Sequence, residues 1–370
     1  MNLTETDIAS MRQMVLVASF SLAILLGYLL QKTNFCSMGA ISDAILMGNF
    51  TRMRQWILAI LVAILGLGFL NFYGLVDIQK SIYTGHKFLW LSVITGSSLF
   101  GFGMVLASGC GAKNLTRVGA GSLKSLVVLL VIAVFAQMTL RGIFASLRSS
   151  TVDLIYVDFP TNQDLMSLLS HYLGVAPDSI FVMMMFLVVL TLIYMLKDQA
   201  FRQANNLIAG FGVGLAIVGF WFISGYLGYV EEDPSTLEQI YLATNTGKIE
   251  AASFVAPMAY TLDFFGLYSD TSKKLTLGIV MVFGLILGAL MSSIKDKKFK
   301  WQGFSSTSDT GHHLLGAAMM GVGGVTALGC TFGQGLSGIA TLSISSILAL
   351  FGFYMGAYAS LKYLERSSDI

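Results

Sequence analysis

Charge is what this sequence has least of. Only 11% of its 370 residues are Asp, Glu, Lys or Arg, against about 25% in soluble domains. A chain so poor in charge cannot cover itself with an ordinary water-facing surface. Proline is scarce as well, at four residues, so long runs are free to stay helical. Cysteine is limited to Cys36, Cys110 and Cys330. The odd count excludes a complete set of intramolecular disulfides, and the lack of a CxxC pair argues against a zinc ribbon or a thioredoxin-like site. No Walker motif is present to support an ATPase. No cofactor and no metal is expected, and the net charge of +2 carries no nucleic-acid signature.

What the chain does have is apolar residue, 55% of the total, gathered into runs near the roughly 20 residues that cross a bilayer as a helix. The runs are apolar all round, whereas a membrane β-barrel needs alternation. The expectation is an all-α membrane protein with about nine spans: Met11 to Leu30, Met53 to Tyr73, Phe88 to Ser108, Gly121 to Ala145, Asp178 to Leu196, Leu207 to Gly228, Ser272 to Ser292, His312 to Leu328 and Gly338 to Lys362. The start is acidic (Glu5, Asp7) and lacks a basic n-region with a cleavage site, so the first run reads as a retained span. Arg52, Arg54, Lys113, Arg117, Lys124, Lys197, Arg202, Lys295, Lys297, Lys298 and Lys300 fall in alternate loops. The intervening loops are acidic, with Asp153, Asp158 and Asp164 in one and Glu231, Glu232, Asp233, Glu238 and Glu250 in another. Because cytoplasmic loops attract Lys and Arg, the N-terminus is expected outside and the C-terminus in the cytoplasm.

An internal repeat is visible at an offset of 220 residues, the separation of Cys330 from Cys110. Gly96, Gly101, Gly103, Ala107, Gly109 and Cys110 then meet Gly316, Gly321, Gly323, Ala327, Gly329 and Cys330. The two segments are spans 3 and 8, five apart, and so run in opposite directions. That is the plan of an inverted repeat with a central site. Within a single transmembrane domain (1–370), a first repeat (11–145) would match a second (207–362), with the span at 178–196 as linker. Cys36 finds no cysteine twin.

Each cysteine closes an apolar helix and opens a turn rich in Gly, Ser or Thr. These turns are too short or polar for full spans and read as short or re-entrant helices. A helix N-terminus at membrane depth offers free N–H groups and a positive dipole end to an anion, and a thiol there is a weak, soft hydrogen-bond donor. One cysteine in a membrane helix is usually a small hydrophobe. Three that are the only ones in the chain, all at glycine-rich breaks, are harder to dismiss as packing. Other polar candidates read as structural. Asp43 is placed to pair with a basic neighbour, His312 and His313 to sit as an interfacial pair, and Asp263 to lie on a further short helix. Lys113 and Arg117 are placed to draw an anion toward a cytoplasmic mouth.

The strings Cys36-Ser-Met-Gly-Ala-Ile-Ser-Asp43, Leu106-Ala-Ser-Gly-Cys-Gly-Ala-Lys-Asn-Leu-Thr-Arg117 and Gly329-Cys-Thr-Phe-Gly-Gln-Gly-Leu-Ser-Gly338 resemble the signature motifs of the YeeE/YedE family over nearly the whole chain. These are bacterial inner-membrane proteins linked to uptake of thiosulfate and related sulfur compounds. The resemblance implies an hourglass-shaped carrier with short helices beside its spans and three central cysteines, here Cys36, Cys110 and Cys330, that pass the ion on through S–H contacts. Gly109, Gly111, Gly329, Thr331 and Arg117 complete the expected substrate-binding set. The implied partners are a small inorganic sulfur anion, the lipid bilayer and a cytoplasmic sulfur-carrier protein. The rival readings are a membrane-bound thiol enzyme for sulfur transfer or reduction, a carrier of a selenium species, and a purely structural subunit. The enzyme would need a base or cation beside a thiolate, and no histidine lies near a cysteine in either repeat motif.

Overall fold

The computed structural model describes residues 5–199, 201–233, 237–270 and 272–368. The side chain of Glu5 and positions 234–236 and 271 of the long 229–271 loop lie outside that description. In chain order the helices are α1 (Glu5–Thr33), α2 (Ser37–Leu46), α3 (Thr51–Phe72), α4 (Trp90–Leu106), α5 (Gly111–Gly119), α6 (Leu123–Arg141), α7 (Ile143–Ser150), α8 (Leu165–Leu173), α9 (Pro177–Leu196), α10 (Ala204–Phe222), α11 (Ala256–Gly266), α12 (Leu277–Lys295), α13 (Thr307–Thr326) and α14 (Ile344–Ser368). Two two-residue antiparallel ladders tie loops together: β1 (Lys87–Phe88) with β2 (Val157–Asp158), and β3 (Tyr229–Val230) with β4 (Ile240–Tyr241).

Among the described residues eight helices are long and apolar enough to cross a bilayer. They correspond to the expected spans except the eighth. That stretch is α13, 20 residues long, whose first turns carry Thr307, Ser308, Asp309, His312 and His313. It packs against α4 and α6, and its polar first turn, with Thr307 and Ser308 exposed, keeps it short of an apolar run. At the other extreme, α9 buries only Ile180 and Val188 and exposes Val182, Met183, Phe186, Leu187, Leu190 and Ile193. A continuous apolar surface of that length is stable only against lipid. The chain is a multi-pass membrane protein.

Several helix ends differ from the sequence reading, for local reasons. The fourth span stops at Arg141 rather than running to Ala145, because the extended backbone at Gly142 starts a separate helix, α7. The seventh starts at Leu277, after a loop that ends on the extended Thr276. The ninth starts at Ile344 rather than Gly338, because 333–341 is a buried coil of π- and 3₁₀-type turns closed by Leu342 at φ 55°. The loop after span 6 is not structureless: it holds β3, β4 and α11.

Small residues let the central helices touch backbone to backbone. A Cβ added to Gly103 would stand 2.5 Å from the Gly316 carbonyl oxygen, and one on Gly96 would stand 2.8 Å from that of Gly323. α4 and α13 are therefore antiparallel and in contact along their length. Gly27 against Leu285, and Gly288 against Ile24, bring α1 and α12 equally close. In a bilayer, where lipid is as apolar as leucine, such close van der Waals contact is what holds helices together.

Hydrogen bonds sort the loops into two ends. Ser122 bridges to Gln302, Lys300 donates its N–H to Ala120, Lys124 pairs with Asp309, and Arg54 pairs with Asp198. This is the basic end. At the opposite end Ser81 bridges to Ile249, Asp164 to Ser343, and Arg12 reaches the Leu275 carbonyl.

Candidate functional site

The three cysteines sit on one type of break. Two residues before each, a non-glycine residue adopts the left-handed conformation: Asn34 (φ 54°), Ser108 (φ 54°) and Leu328 (φ 58°). After α4, the N–H of Ser108 bonds to Val105 O and that of Gly109 to Met104 O. After α13, Leu328 bonds to Val325 O and Gly329 to Gly324 O. This is the Schellman end, normally made by glycine at the left-handed position. Placing Ser or Leu there costs on the order of 1 kcal/mol each, which the surrounding packing sustains. Side-chain amides four residues past two of the cysteines satisfy the freed carbonyls. Asn114 Nδ2 donates to Gly109 O (2.9 Å) and Cys110 O (3.2 Å), and Gln334 Nε2 donates to Ala327 O (2.8 Å). Ser346 in turn holds Gln334 Oε1 at 2.6 Å. Irregular backbone deep in a membrane protein persists when it is paired in this way.

From each break the cysteine turns inward, and all three are buried and free of disulfides. Cys36 caps α2, its Sγ accepting the N–H of Gly39 at 3.3 Å. Cys330 does the same for the coil at 333–338, accepting the N–H of Gly333 at 3.5 Å. Cys110 precedes α5, and its Sγ lies 3.6 Å from Ser37 Oγ. The same hydroxyl lies 3.0 Å from Thr331 Oγ1. Ser37, adjacent to Cys36, and Thr331, adjacent to Cys330, thus meet beside the Cys110 sulfur. Around this junction the Phe332 ring is held edge-on by Phe35 (6.3 Å) and Phe254 (5.3 Å). The result is a buried, narrow junction that brings aromatic rings, hydroxyls and sulfur together.

Cavities approach the constriction from both ends. On the basic side, about 350 Å³ is lined by Cys36, Asn34, Arg52, Ser108, Lys113 and Arg117, among others. Lys113 Nζ donates to Asn34 Oδ1 (3.3 Å) and Arg117 Nη1 to Ser108 O (2.7 Å), both neutral partners. Among the described residues no carboxylate lies within ion-pair distance of either. Arg52, by contrast, is paired with Asp43 at 3.2 Å, the structural role expected of Asp43. On the opposite side, about 190 Å³ is lined by Ile82, Arg148, Glu250, Ser253, Tyr260, Leu328 and Gly329. Ser253 Oγ stands 4.0 Å from Cys330 Sγ. Burial pushes the Glu250 carboxyl above the usual carboxylate range, opposed by donors from Thr246 and Asn245. A larger cavity of about 830 Å³, between Asn71 and Phe181, is lined by none of the cysteines.

The structure therefore brings Cys36, Cys110, Cys330 and Thr331 to one junction and places Arg117 on the basic cavity. The three glycines of the expected set form walls. A Cβ on Gly109 would press on Lys113, one on Gly111 on Met258, and one on Gly329 on the Gln334 N–H at 3.0 Å. His313 departs from expectation: it is buried rather than interfacial, with Nδ1 on Asp309 O (2.7 Å) and its ring against Phe304. Asp263 lies on α11, as expected, and pairs with Arg141. Ser37, Asn34, Ser253 and the Phe35–Phe332–Phe254 cluster were not singled out from sequence. Their adjacency to the cysteines in the chain, at Asn34, Phe35 and Ser37, was the available signal.

A family model for sulphur transport matches residues 32–359, a span that includes all three cysteines, and the chain belongs to that family. The thiosulfate transporter TsuA of Escherichia coli (strain K12) is 24% identical over 348 residues, covering 91% of each chain. The thiosulfate transporter TsuA of Spirochaeta thermophila is 24% identical over 364 residues, covering 92% of this chain and 97% of its own.

Proposed function

We propose that this chain conducts thiosulfate, or an inorganic sulfur anion like it, from outside a bacterial inner membrane into the cytoplasm. The path runs through the junction of Cys330, Cys110 and Cys36. The observation that carries this reading is the contact of Ser37 with both Cys110 and Thr331 at a constriction between two cavities. Two similar proteins being named thiosulfate transporters supports the choice of anion. The thiols offer soft donors to a sulfur atom where a fixed positive charge would bind too tightly to release.

The basic end faces the cytoplasm by the bias of its Lys and Arg, which puts the N-terminus outside and the C-terminus inside. Lys113 and Arg117, without acidic partners, then form a cytoplasmic vestibule that attracts the anion as it leaves Cys36. A sulfur-carrier protein is a suitable acceptor at that end. The helices are related as an inverted repeat, α1–α6 with α10–α14 and α9 as the linker. The antiparallel glycine-to-glycine contact of α4 and α13 is what such a relation requires.

The chain is a conduit and not an enzyme. Among the described residues the groups that touch a cysteine sulfur are the hydroxyls of Ser37 and Ser253 and the N–H groups of Gly39 and Gly333. None of these is a base that could activate a thiol for attack; the cations Lys113 and Arg117 share a cavity with Cys36, while Cys110 and Cys330 do not line it. A sulfur-auxotrophic host grown on thiosulfate as sole sulfur source tests the proposal. Growth should require the gene on thiosulfate and not on cysteine; growth on thiosulfate without it, in a host lacking other thiosulfate carriers, would reject the reading.

A further inference from the structure

Tyr83 presents a polar atom that the fold leaves unused. It lies in the loop between α3 and α4 and is 2% exposed, with its ring edge-on to Trp221 at 6.1 Å. Its hydroxyl has no hydrogen-bond partner. An unpaired buried hydroxyl is destabilising relative to a paired one, so its retention calls for an account. Burial, with Cys330 and Glu250 nearby, raises the Tyr83 pKa well above the ordinary phenol value. The hydroxyl therefore keeps its proton and remains a donor.

Gly333 shows where that donor points. A Cβ built on Gly333 would lie 3.4 Å from Tyr83 Oη and 2.8 Å from Ser253 Oγ. Two hydroxyls thus converge on the bare side of one glycine. The N–H of the same glycine donates to Cys330 Sγ, and Ser253 Oγ is itself 4.0 Å from that sulfur. Ser253 also lines the cavity that opens toward the acidic end. Thiol, serine hydroxyl and tyrosine hydroxyl thus gather about one glycine, with the serine also on that cavity's wall, and none of the three is a cation.

We propose that Tyr83 and Ser253 form the oxygen-binding half of a substrate station at Cys330, taking the oxygens of a sulfur oxyanion while the thiol takes its terminal sulfur. The inference rests on the conduit reading and narrows the substrate class to anions that carry both a soft sulfur and hydrogen-bonding oxygens. Gly333 is required because a methyl group there would stand 2.8 Å from Ser253 Oγ and push that hydroxyl out of place. Neutral donors suit a station that must release its ion, since charge-assisted pairing to Lys or Arg would hold it more tightly.

The test uses the full-length protein in liposomes with labelled thiosulfate outside, measuring initial uptake against concentration, and the melting temperature of each purified variant. Tyr83→Phe keeps the ring and its packing on Trp221 and removes only the unpaired hydroxyl. It should raise KM about tenfold, the worth of one hydrogen bond to a charged group, while the melting temperature stays level or rises. Ser253→Ala should raise KM similarly, and Gly333→Ala should abolish uptake. An unchanged KM in Tyr83→Phe overturns the proposal. A fall in its melting temperature with KM unchanged and Vmax reduced also overturns it, because the hydroxyl would then be structural. Uptake absent from the wild type would instead reject the conduit reading beneath it.

Discussion

At the scale of single residues, the chemistry rests on groups with nothing to neutralise them. Lys113 and Arg117 hold neutral partners only, whereas Arg52, Arg54 and Lys124 are paired with carboxylates. If the first two focus the anion at the basic mouth, Lys113→Gln should slow thiosulfate uptake about tenfold at low salt, the lower end of what a charged cleft contributes. The loss should shrink as ionic strength rises and screening removes the advantage from the wild type too. Equal rates for variant and wild type at low salt would reduce Lys113 to a topology charge. Cysteines, glycines and Arg117 were readable in the sequence because they form the motif itself. Ser37 could have been read as Cys36's neighbour, but its contact with Thr331, 294 residues away, could not. Long-range convergence leaves no local trace. The left-handed turns at Asn34, Ser108 and Leu328 were hidden for a different reason: the glycine expected at that position follows Ser108 and Leu328 instead of occupying it.

At the scale of elements, glycine sets how closely the helices approach. Gly103→Ala would press its methyl to within 2.5 Å of the Gly316 carbonyl oxygen, and α4 and α13 would have to separate. The expected cost is about 1–3 kcal/mol, read as a lower melting temperature in detergent and lower uptake. Gly311→Ala, on α13 but with nothing near its added methyl, should be neutral or slightly stabilising. If both substitutions behave alike, close packing at Gly103 is not what joins the helices. The apolar runs gave the spans their identity because membrane burial demands about 20 such residues at a stretch. They started α13 at His312 rather than Thr307, since its first turn is polar, with Thr307 and Ser308 exposed, and extends the helix beyond the apolar run. They did not mark the start of α14 either, because the apolar stretch Leu336–Leu342 belongs to the buried coil after Cys330 and blends into the helix that follows.

At the scale of the whole molecule, the account makes two commitments: which end faces the cytoplasm, and what passes between the ends. Reporters inserted at Lys297 and at Gly247, one in each set of loops, should give opposite signals, cytoplasmic for Lys297 and external for Gly247. Both on one side would overturn the orientation and the inverted repeat. The repeat was legible only in spans 3 and 8, where Gly and Cys recur at fixed spacing. Gly27 through Cys36 falls instead against Gly212 through Trp221, inside α10, where the likeness is weak and Cys36 meets no cysteine. The central claim is that the thiols themselves carry the ion. The most direct test reconstitutes the wild type, Cys110→Ala and Cys330→Ala in liposomes with labelled thiosulfate outside, and assays both the amount and the chemical form of the label inside. The account predicts intact thiosulfate accumulating with the wild type and none above background with either variant, although both insert and accumulate normally. Near-normal uptake by the two alanine variants, or label converted to sulfite or sulfide at a rate that follows the protein, would contradict it.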